Sequence, residues 1–402
     1  MATCKNYNHY KGLRDMPRSI KPHGKYFRPP SIHKLNQPVV NMRPKIPVLE
    51  SRGDRPLKMS FEDQLKALIF YHLEDHVSGR HLIQVLKEDD FARKNITPKD
   101  GIEKSSFFEA INNRGLEQLQ FVYENLCSQA SDILPNHYAG LGELVAIDGS
   151  LIDAVLSMTW ADYRKNSKKA KIHLGFNINK GIPSKIYFTD GNGAERPFIS
   201  QILSPGQTGV SDRGYQEHAE FDSLQAEGKS FAIRIKANTT KTLIHENDIN
   251  ASGIVFYDAE VLLGTAQNNN QTEKPVRLVG YSVDNVDYWV ATDRRDLTGE
   301  QIAEIYKLRW EIENFFAWWK RHLRVYHLIA RSQYGLMVQI LGGLITYLLL
   351  AIYCYKNHGE RVSIKRVRQL RIQIQNELRD SGSSADSYFF KEQKHLRSYA
   401  KT

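Results

Sequence analysis

The spacing of apolar residues changes character near Leu144, and that change limits the folds open to this 402-residue chain. Ahead of it, Leu65, Leu68, Ile69, Leu73 and Val77 recur at helical spacing behind Ser60, a residue suited to cap a helix N-terminus. Gly79 interrupts the pattern, and Leu82, Val85 and Leu86 resume it. Ser105 or Ser106 is placed to cap a third helix, and residues 116–126 read as a fourth. Beyond Leu144, residues 144–147, 172–178 and 185–189 read as strands. Residues 194–203 read as a helix, with Glu195 near its start as a favourable N-terminal charge. A short strand around Gly209 leads to Asp212, a helix follows over 216–226, and 230–235 is another strand. Such an order is that of a mixed α/β sheet.

Between Thr239 and Thr292 the helical pattern vanishes. Residues 254–263, 276–283 and 288–292 read as strands, and Asn268 to Gln271 as a turn. Thr298 then caps a helix that runs through residues 306–320. The chain therefore divides into a basic, proline-rich, extended arm (1–57), a helical block (58–135), a sheet-bearing core in two parts (140–238 and 293–355), an all-β stretch between them (239–292) and a basic tail (356–402). The helical block with its basic edges suits a DNA-binding module, or equally a bundle that only packs or dimerises.

Charge is unevenly spread. The net charge is +10, yet thirteen Lys and Arg face three acids up to Lys58, and eleven face five from Lys356 onward. The middle is thus net negative. Basic ends flanking an acidic body suit a polyanion, because neutralising phosphates releases counterions. Cys4, Cys127 and Cys354 are scattered, with no Cys/His spacing of a structural zinc, and they suit a reducing compartment. The first residues lack the apolar core of a signal peptide. Residues 335–355 form an apolar run long enough to span a bilayer, but Gln339, Gly342, Gly343 and Thr346 soften it. A buried helix against the sheet, with no membrane involved, is the reading adopted.

The chemistry concentrates in Tyr306-Lys-Leu-Arg-Trp-Glu-Ile-Glu-Asn-Phe-Phe-Ala-Trp-Trp-Lys320. Tyr306, Arg309, Glu313 and Lys320 fall at offsets that return to one stripe of a helix, while Glu311 projects away from it. Asp148 ends an apolar strand before Gly149, and Asp212 opens Asp212-Arg213-Gly214-Tyr215 after another. Two aspartates at strand ends and a glutamate on a later helix are an oxygen-donor set suited to two divalent metals, which together stabilise the attacking and leaving oxygens of a phosphodiester.

The stripe and the two aspartates together resemble a DDE transposase of bacterial insertion sequences, from the branch with the Tyr-x2-Arg-x3-Glu-x6-Lys (YREK) signature. The resemblance runs from about Leu144 to Leu323, and the long gap from Asp212 to Glu313 also belongs to it. It implies a ribonuclease-H-like mixed sheet interrupted by an all-β insertion and preceded by a small all-α domain. It implies that Asp148, Asp212 and Glu313 are catalytic and bind two Mg²⁺ ions, with Mn²⁺ able to substitute. It implies that Tyr306, Arg309 and Lys320 contact the DNA end. The branch also flips a base with an aromatic near the end of its β insertion, where Tyr288 and Trp289 stand as candidates beside the alternative that both are ordinary strand residues. The implied partners are double-stranded DNA, as inverted-repeat ends and as target, and a second copy of the chain. The implied place is the bacterial cytoplasm, at the nucleoid. A metal-dependent nuclease without strand transfer, and a DNA-binding protein that has lost catalysis, are the competing expectations.

Overall fold

The computed structural model describes residues 31–50, 56–74, 76–98, 100–154, 157–164 and 167–380. Helices come first: α1 (Ser31–Met42), α2 (Phe61–Leu73), α3 (Gly79–Glu88), α4 (Asp90–Asn95), α5 (Lys104–Asn113) and α6 (Leu116–Ile133). Strands β1 (Glu143–Asp153), β2 (Asp162–Tyr163), β3 (Ser167–Asn177) and β4 (Ile182–Asp190) follow. Next come α7 (Phe198–Ile202), β5 (Gln207–Ser211), α8 (His218–Ala226) and β6 (Ser230–Arg234). Four strands, β7 (Lys241–Glu246), β8 (Val255–Leu263), β9 (Val276–Val283) and β10 (Val286–Thr292), lead to α9 (Gly299–Lys307), α10 (Trp310–His322), α11 (Gln333–His358) and α12 (Ile364–Asp380).

Local chemistry sets several of these boundaries. Ser60 accepts from the Asp63 amide while Asp63 answers the Ser60 amide, a capping box that starts α2. Thr298 and Gln301 do the same for α9. Neither Ser105 nor Ser106 caps α5, which begins at Lys104 behind Glu103 with no side-chain cap. The helix expected over 194–203 shrinks to α7, because Pro197 stands immediately before it and the preceding residues turn.

The expected extended arm is corrected where it is described, since residues 31–42 are helical. Leu35, Pro38 and Met42 recur at helical spacing and are buried, and the helix packs on α6, α11 and α12. That burial offsets the hydrogen bond that Pro38 cannot donate. The remainder of the arm up to residue 30, and the tail from 381, lie outside the described residues.

The strands form one ten-stranded mixed sheet in the order β2-β3-β1-β5-β6-β10-β9-β8-β7, with β4 also paired to β3. β1 is antiparallel to β3 and parallel to β5, and β5 is parallel to β6. β10 pairs with β6, so the strands of 239–292 extend the core sheet. Along β1 alternate residues face opposite layers. Leu144 and Ala146 join the core beneath α9, α10 and α11, while Val145 and Ile147 join the core beneath α7 and α8. Residues of α2, α5 and α6 belong to the same core as Leu144 and Ala146, packed around α11. The apolar run is thus the centre of the helical layer, with 89% of its most apolar window buried.

Candidate active site

β1 does not end at Asp148. It continues to Asp153, because Gly149 to Asp153 keep their antiparallel pairing with β3. What ends there is the parallel neighbour. β1 and β5 run in register from Glu143↔Gln207 to Ala146↔Val210, and β5 stops at Ser211. Two residues further along that register, Asp148 is level with Asp212. Adjacent strands lie about 4.8 Å apart, so the two aspartates stand side by side at the carboxyl end of parallel strands, the place where α/β sheets bind ligands.

Each aspartate is oriented by the backbone it leaves. Asp148 Oδ1 accepts from the Gly149 amide at 2.8 Å. Asp212 Oδ1 accepts from the Gly214 amide at 2.8 Å, capping the short turn Arg213–Tyr215. Burial pushes the Asp148 carboxyl up to about 7, helped by the negative charges of Asp212 and Glu195 and opposed by the Gly149 amide and Arg309.

Asp148 shares its face of the sheet with Leu144 and Ala146, and that face meets α10. The expected stripe reaches this face but not on one unbroken helix. Leu308 and Arg309 keep helical dihedrals, yet the Arg309 amide bonds the Tyr306 carbonyl and the Ile312 amide bonds the Arg309 carbonyl, a tightened turn between α9 and α10. Tyr306 therefore ends α9, Arg309 caps α10, and Glu313 and Lys320 lie on α10. Arg309 Nη1 donates to Glu313 Oε1 at 2.5 Å. Lys320 Nζ donates to the Leu151 carbonyl of β1 at 2.8 Å, and burial lowers its ammonium to about 8 against the pull of Asp153 and Asp148. Tyr306 is 5% exposed and lies under the Arg309 guanidinium. Glu311, off the stripe, faces Arg361 at 3.5 Å.

Tyr288 and Trp289, adjacent on β10, point to opposite faces. Tyr288 stacks on Tyr281, lies 6.2 Å from Tyr306 between ring centroids and carries Arg234 4.6 Å above its ring. Trp289 packs on the far side against Phe256 and Tyr257, with Lys241 over its ring. Tyr288 is brought to the site and Trp289 is not.

Arg234 escaped the sequence reading, and Glu195 was given another role there. Arg234 pairs with Val290 across β6 and β10 and joins the tyrosines beside Arg309. Glu195, expected as a helix-start charge, instead packs under Gly149, where an added Cβ would meet its Oε1 at 2.7 Å. Lys171 Nζ holds the same oxygen at 3.2 Å, and Arg196 Nε donates to the Gly214 carbonyl at 3.0 Å. The loop before α7 thus braces the strand at Gly149 and the turn after Asp212. Nearby on β3, Lys169 pairs with Asp153 and Lys171 with Glu195.

Asp148 and Asp212 are hard oxygen donors whose mutual repulsion a divalent cation relieves, so the pair fits such an ion. The third acid stands differently from expectation. Among the described residues no three His, Cys, Asp or Glu side chains close into a metal-holding group. Glu313 is turned to Arg309, which itself feels Asp148 as well.

Residues 140–349, just over half of the chain, match the Transposase DDE domain family. The chain is 24% identical over 241 residues, 57% of its length, to a protein of Synechocystis sp. assigned as the transposase of insertion sequence element IS4SA, covering 65% of it. It is 27% identical over 197 residues, 48% of its length, to one of Geobacillus stearothermophilus assigned as the transposase of element IS5377, covering 52% of it. The chain thus spans between about half and two thirds of these relatives. A piggyBac transposase synaptic complex with hairpin DNA overlays 90% of this chain and 80% of its own at 11% identity, with a TM-score of 0.41, too low to bear on fold or ligand. The family match spans β1 with Asp148, the turn of Asp212 and the helix of Glu313, and on it the chain belongs to the DDE transposase family.

Proposed function

We propose that this protein cuts and rejoins DNA at the inverted-repeat ends of an insertion sequence, as a member of the YREK branch. The observation that carries the reading is the register that sets Asp148 on β1 level with Asp212 just past the end of β5, with Arg309, bonded to Glu313, close enough to feel Asp148. The strand order β4-β3-β1-β5-β6, three antiparallel strands followed by two parallel to β1, supports a ribonuclease-H-like core that β7 to β10 extend.

Asp148 and Asp212 would hold Mg²⁺, or Mn²⁺ in its place, and Glu313 would join them once released from Arg309. Two such ions, when bound, polarise the scissile phosphate and stabilise its attacking and leaving oxygens. Arg309 has a matched alternative partner in a DNA phosphate, whose paired oxygens suit the guanidinium fork. The same phosphate that takes Arg309 frees Glu313, which couples end binding to assembly of the site. Lys320, held against the Leu151 carbonyl, places a point charge beside Asp148 and Asp153. Tyr288, with Tyr281, Tyr306 and Arg234, offers an aromatic wall on which an unstacked base would rest. Synapsis of two ends calls for a homodimer, working at the bacterial nucleoid.

The test is incubation of purified protein with labelled element ends and Mg²⁺, followed by separation of nicked and joined products. Nicks without joined products would reduce the reading to a nuclease, and end binding with neither would reduce it to a DNA-binding protein.

A further inference from the structure

Beyond the catalytic face the molecule has a second concave, strongly cationic site. A cavity of about 140 Å³ opens between the C-terminal end of α10 and α12, lined by Arg321, His322, Arg324, Val367, Arg368 and Arg371. That volume is several times the roughly 30 Å³ share of one water in the liquid.

Two elements are shaped to build it. On α12, Val367, Leu370 and Ile374 are buried at helical spacing, which fixes the helix against the core and leaves Arg368 and Arg371 on the neighbouring stripe. Arg366, one residue before that apolar position, is matched by Glu360 at 2.6 Å and does not line the cavity. After α10 the chain turns at Arg324 with φ 56, a left-handed conformation uncommon for a residue with a side chain, and Arg324 joins the lining. His322 sits amid the group: burial lowers its pKa, and Arg321, Arg371, Arg368 and Arg324 all push it the same way.

We infer that this cavity is a phosphodiester-binding site that grips one strand of duplex DNA at a distance from the cut. Guanidinium groups converging from two helices present a concave surface of planar forks, the chemistry that recognises phosphate oxygens in pairs. Its position favours DNA. Arg321 follows Glu313 by eight residues on the same helix, about 12 Å along the axis, which corresponds to roughly three or four nucleotides of duplex at about 3.4 Å each. The inference rests on the DNA-cutting reading for its ligand, but assigns a site outside the acids and the signature residues.

The experiment measures duplex-DNA affinity of the full chain against salt concentration for wild type, Arg321→Gln, Arg368→Gln and the double variant. Thermal unfolding confirms the fold, and Mg²⁺-dependent end cleavage is followed on the same preparations. Each lost phosphate contact should flatten the plot of log affinity against log salt by about 0.9, with the double variant about ten-fold weaker near physiological salt. An unchanged slope and affinity in the folded double variant would overturn the site. So would a change in oligomeric state with DNA binding intact, which would make the cavity a protein interface. Wild type that binds duplex, loses slope in the variants and yet cuts no ends would leave this site standing and sink the catalytic reading. Wild type that binds no duplex would sink both.

Discussion

Arg309 reaches across one helical turn to Glu313, Nη1 to Oε1 at 2.5 Å, with 11% of the arginine side chain exposed. Arg309 also feels Asp148 of β1, while Glu313 is neutralised by its own neighbour. Replacing either member should therefore have different consequences. Glu313→Ala should cut Mg²⁺-dependent end cleavage at least about 100-fold, the scale of losing one group that stabilises transition-state charge, while end binding persists. Arg309→Gln should weaken end binding as well as cleavage. Gel-shift and cleavage assays on one preparation separate the two, and normal cleavage by Glu313→Ala would remove it from the site.

Glu195 approaches the backbone of Gly149 so closely that no larger residue fits without moving it. Because the clash is with the end of a flexible side chain, Gly149→Ala should fold with little change in melting temperature. It should nevertheless shift the Glu195 carboxylate away from Asp148 and Lys171 and reduce cleavage about 10- to 100-fold, the range for residues that orient metal ligands. Glu195→Gln should reduce cleavage to a similar extent. If Gly149→Ala retains full activity, the brace under Asp148 is dispensable.

Much of this was legible from residue order. The capping pair Thr298 and Gln301 begins α9 where the pattern puts it, and the apolar residues of β9 span the strand read from them. Tyr306, Arg309, Glu313 and Lys320 were singled out by spacing alone, but spacing assumes a uniform helix and does not register the tightened turn at Arg309. Asp148 was placed at a strand end because Gly149 and Ser150 after it read as a turn. The real limit is the length of β5, a partner more than fifty residues away that no local pattern reveals. Arg234 was invisible, and Glu195 was legible only as a helix-start charge, for the same reason, since each gains its role only from residues brought to it by the sheet. α1 was hidden by its proline and by the basic composition around it.

Arg277 and Asp258 form a buried two-pronged pair, Nε to Oδ1 at 2.9 Å and Nη2 to Oδ2 at 2.6 Å, with side chains 8% and 4% exposed. Arg277 Nη1 also donates to the carbonyls of Arg294 and Leu297, in the segment that enters α9. Removing Arg277 leaves the buried Asp258 carboxylate with the Asn247 amide but without that countercharge. Arg277→Ala should destabilise the protein by about 3–5 kcal/mol, the usual cost of breaking a buried pair. Arg277→Met with Asp258→Leu should recover much of that. Urea unfolding of wild type, Arg277→Met, Asp258→Leu and the double variant measures the coupling, and additive single effects would mean the pair is not a unit.

His72 places its ring between the Leu323 carbonyl at Nδ1, 2.5 Å, and the Gln339 carbonyl at Nε2, 3.1 Å. It is fully buried, and that burial lowers its pKa to about 4, with the two carbonyls pulling partly the other way. A histidine in the unfolded chain titrates near about 6.5. Above that value neither state holds the proton and the neutral ring imposes no pH dependence. As pH falls below it the unfolded chain gains a proton that the folded protein refuses, so stability is lost down to about pH 4. The loss approaches about 1.4 kcal/mol per pH unit, or roughly 3 kcal/mol across the interval. His72→Gln, which cannot titrate, should show a correspondingly shallower decline in unfolding free energy between pH 6.5 and 4, whatever its stability at neutral pH. Parallel declines in the two proteins would mean that the ring is protonated in the folded state and donates to both carbonyls at once.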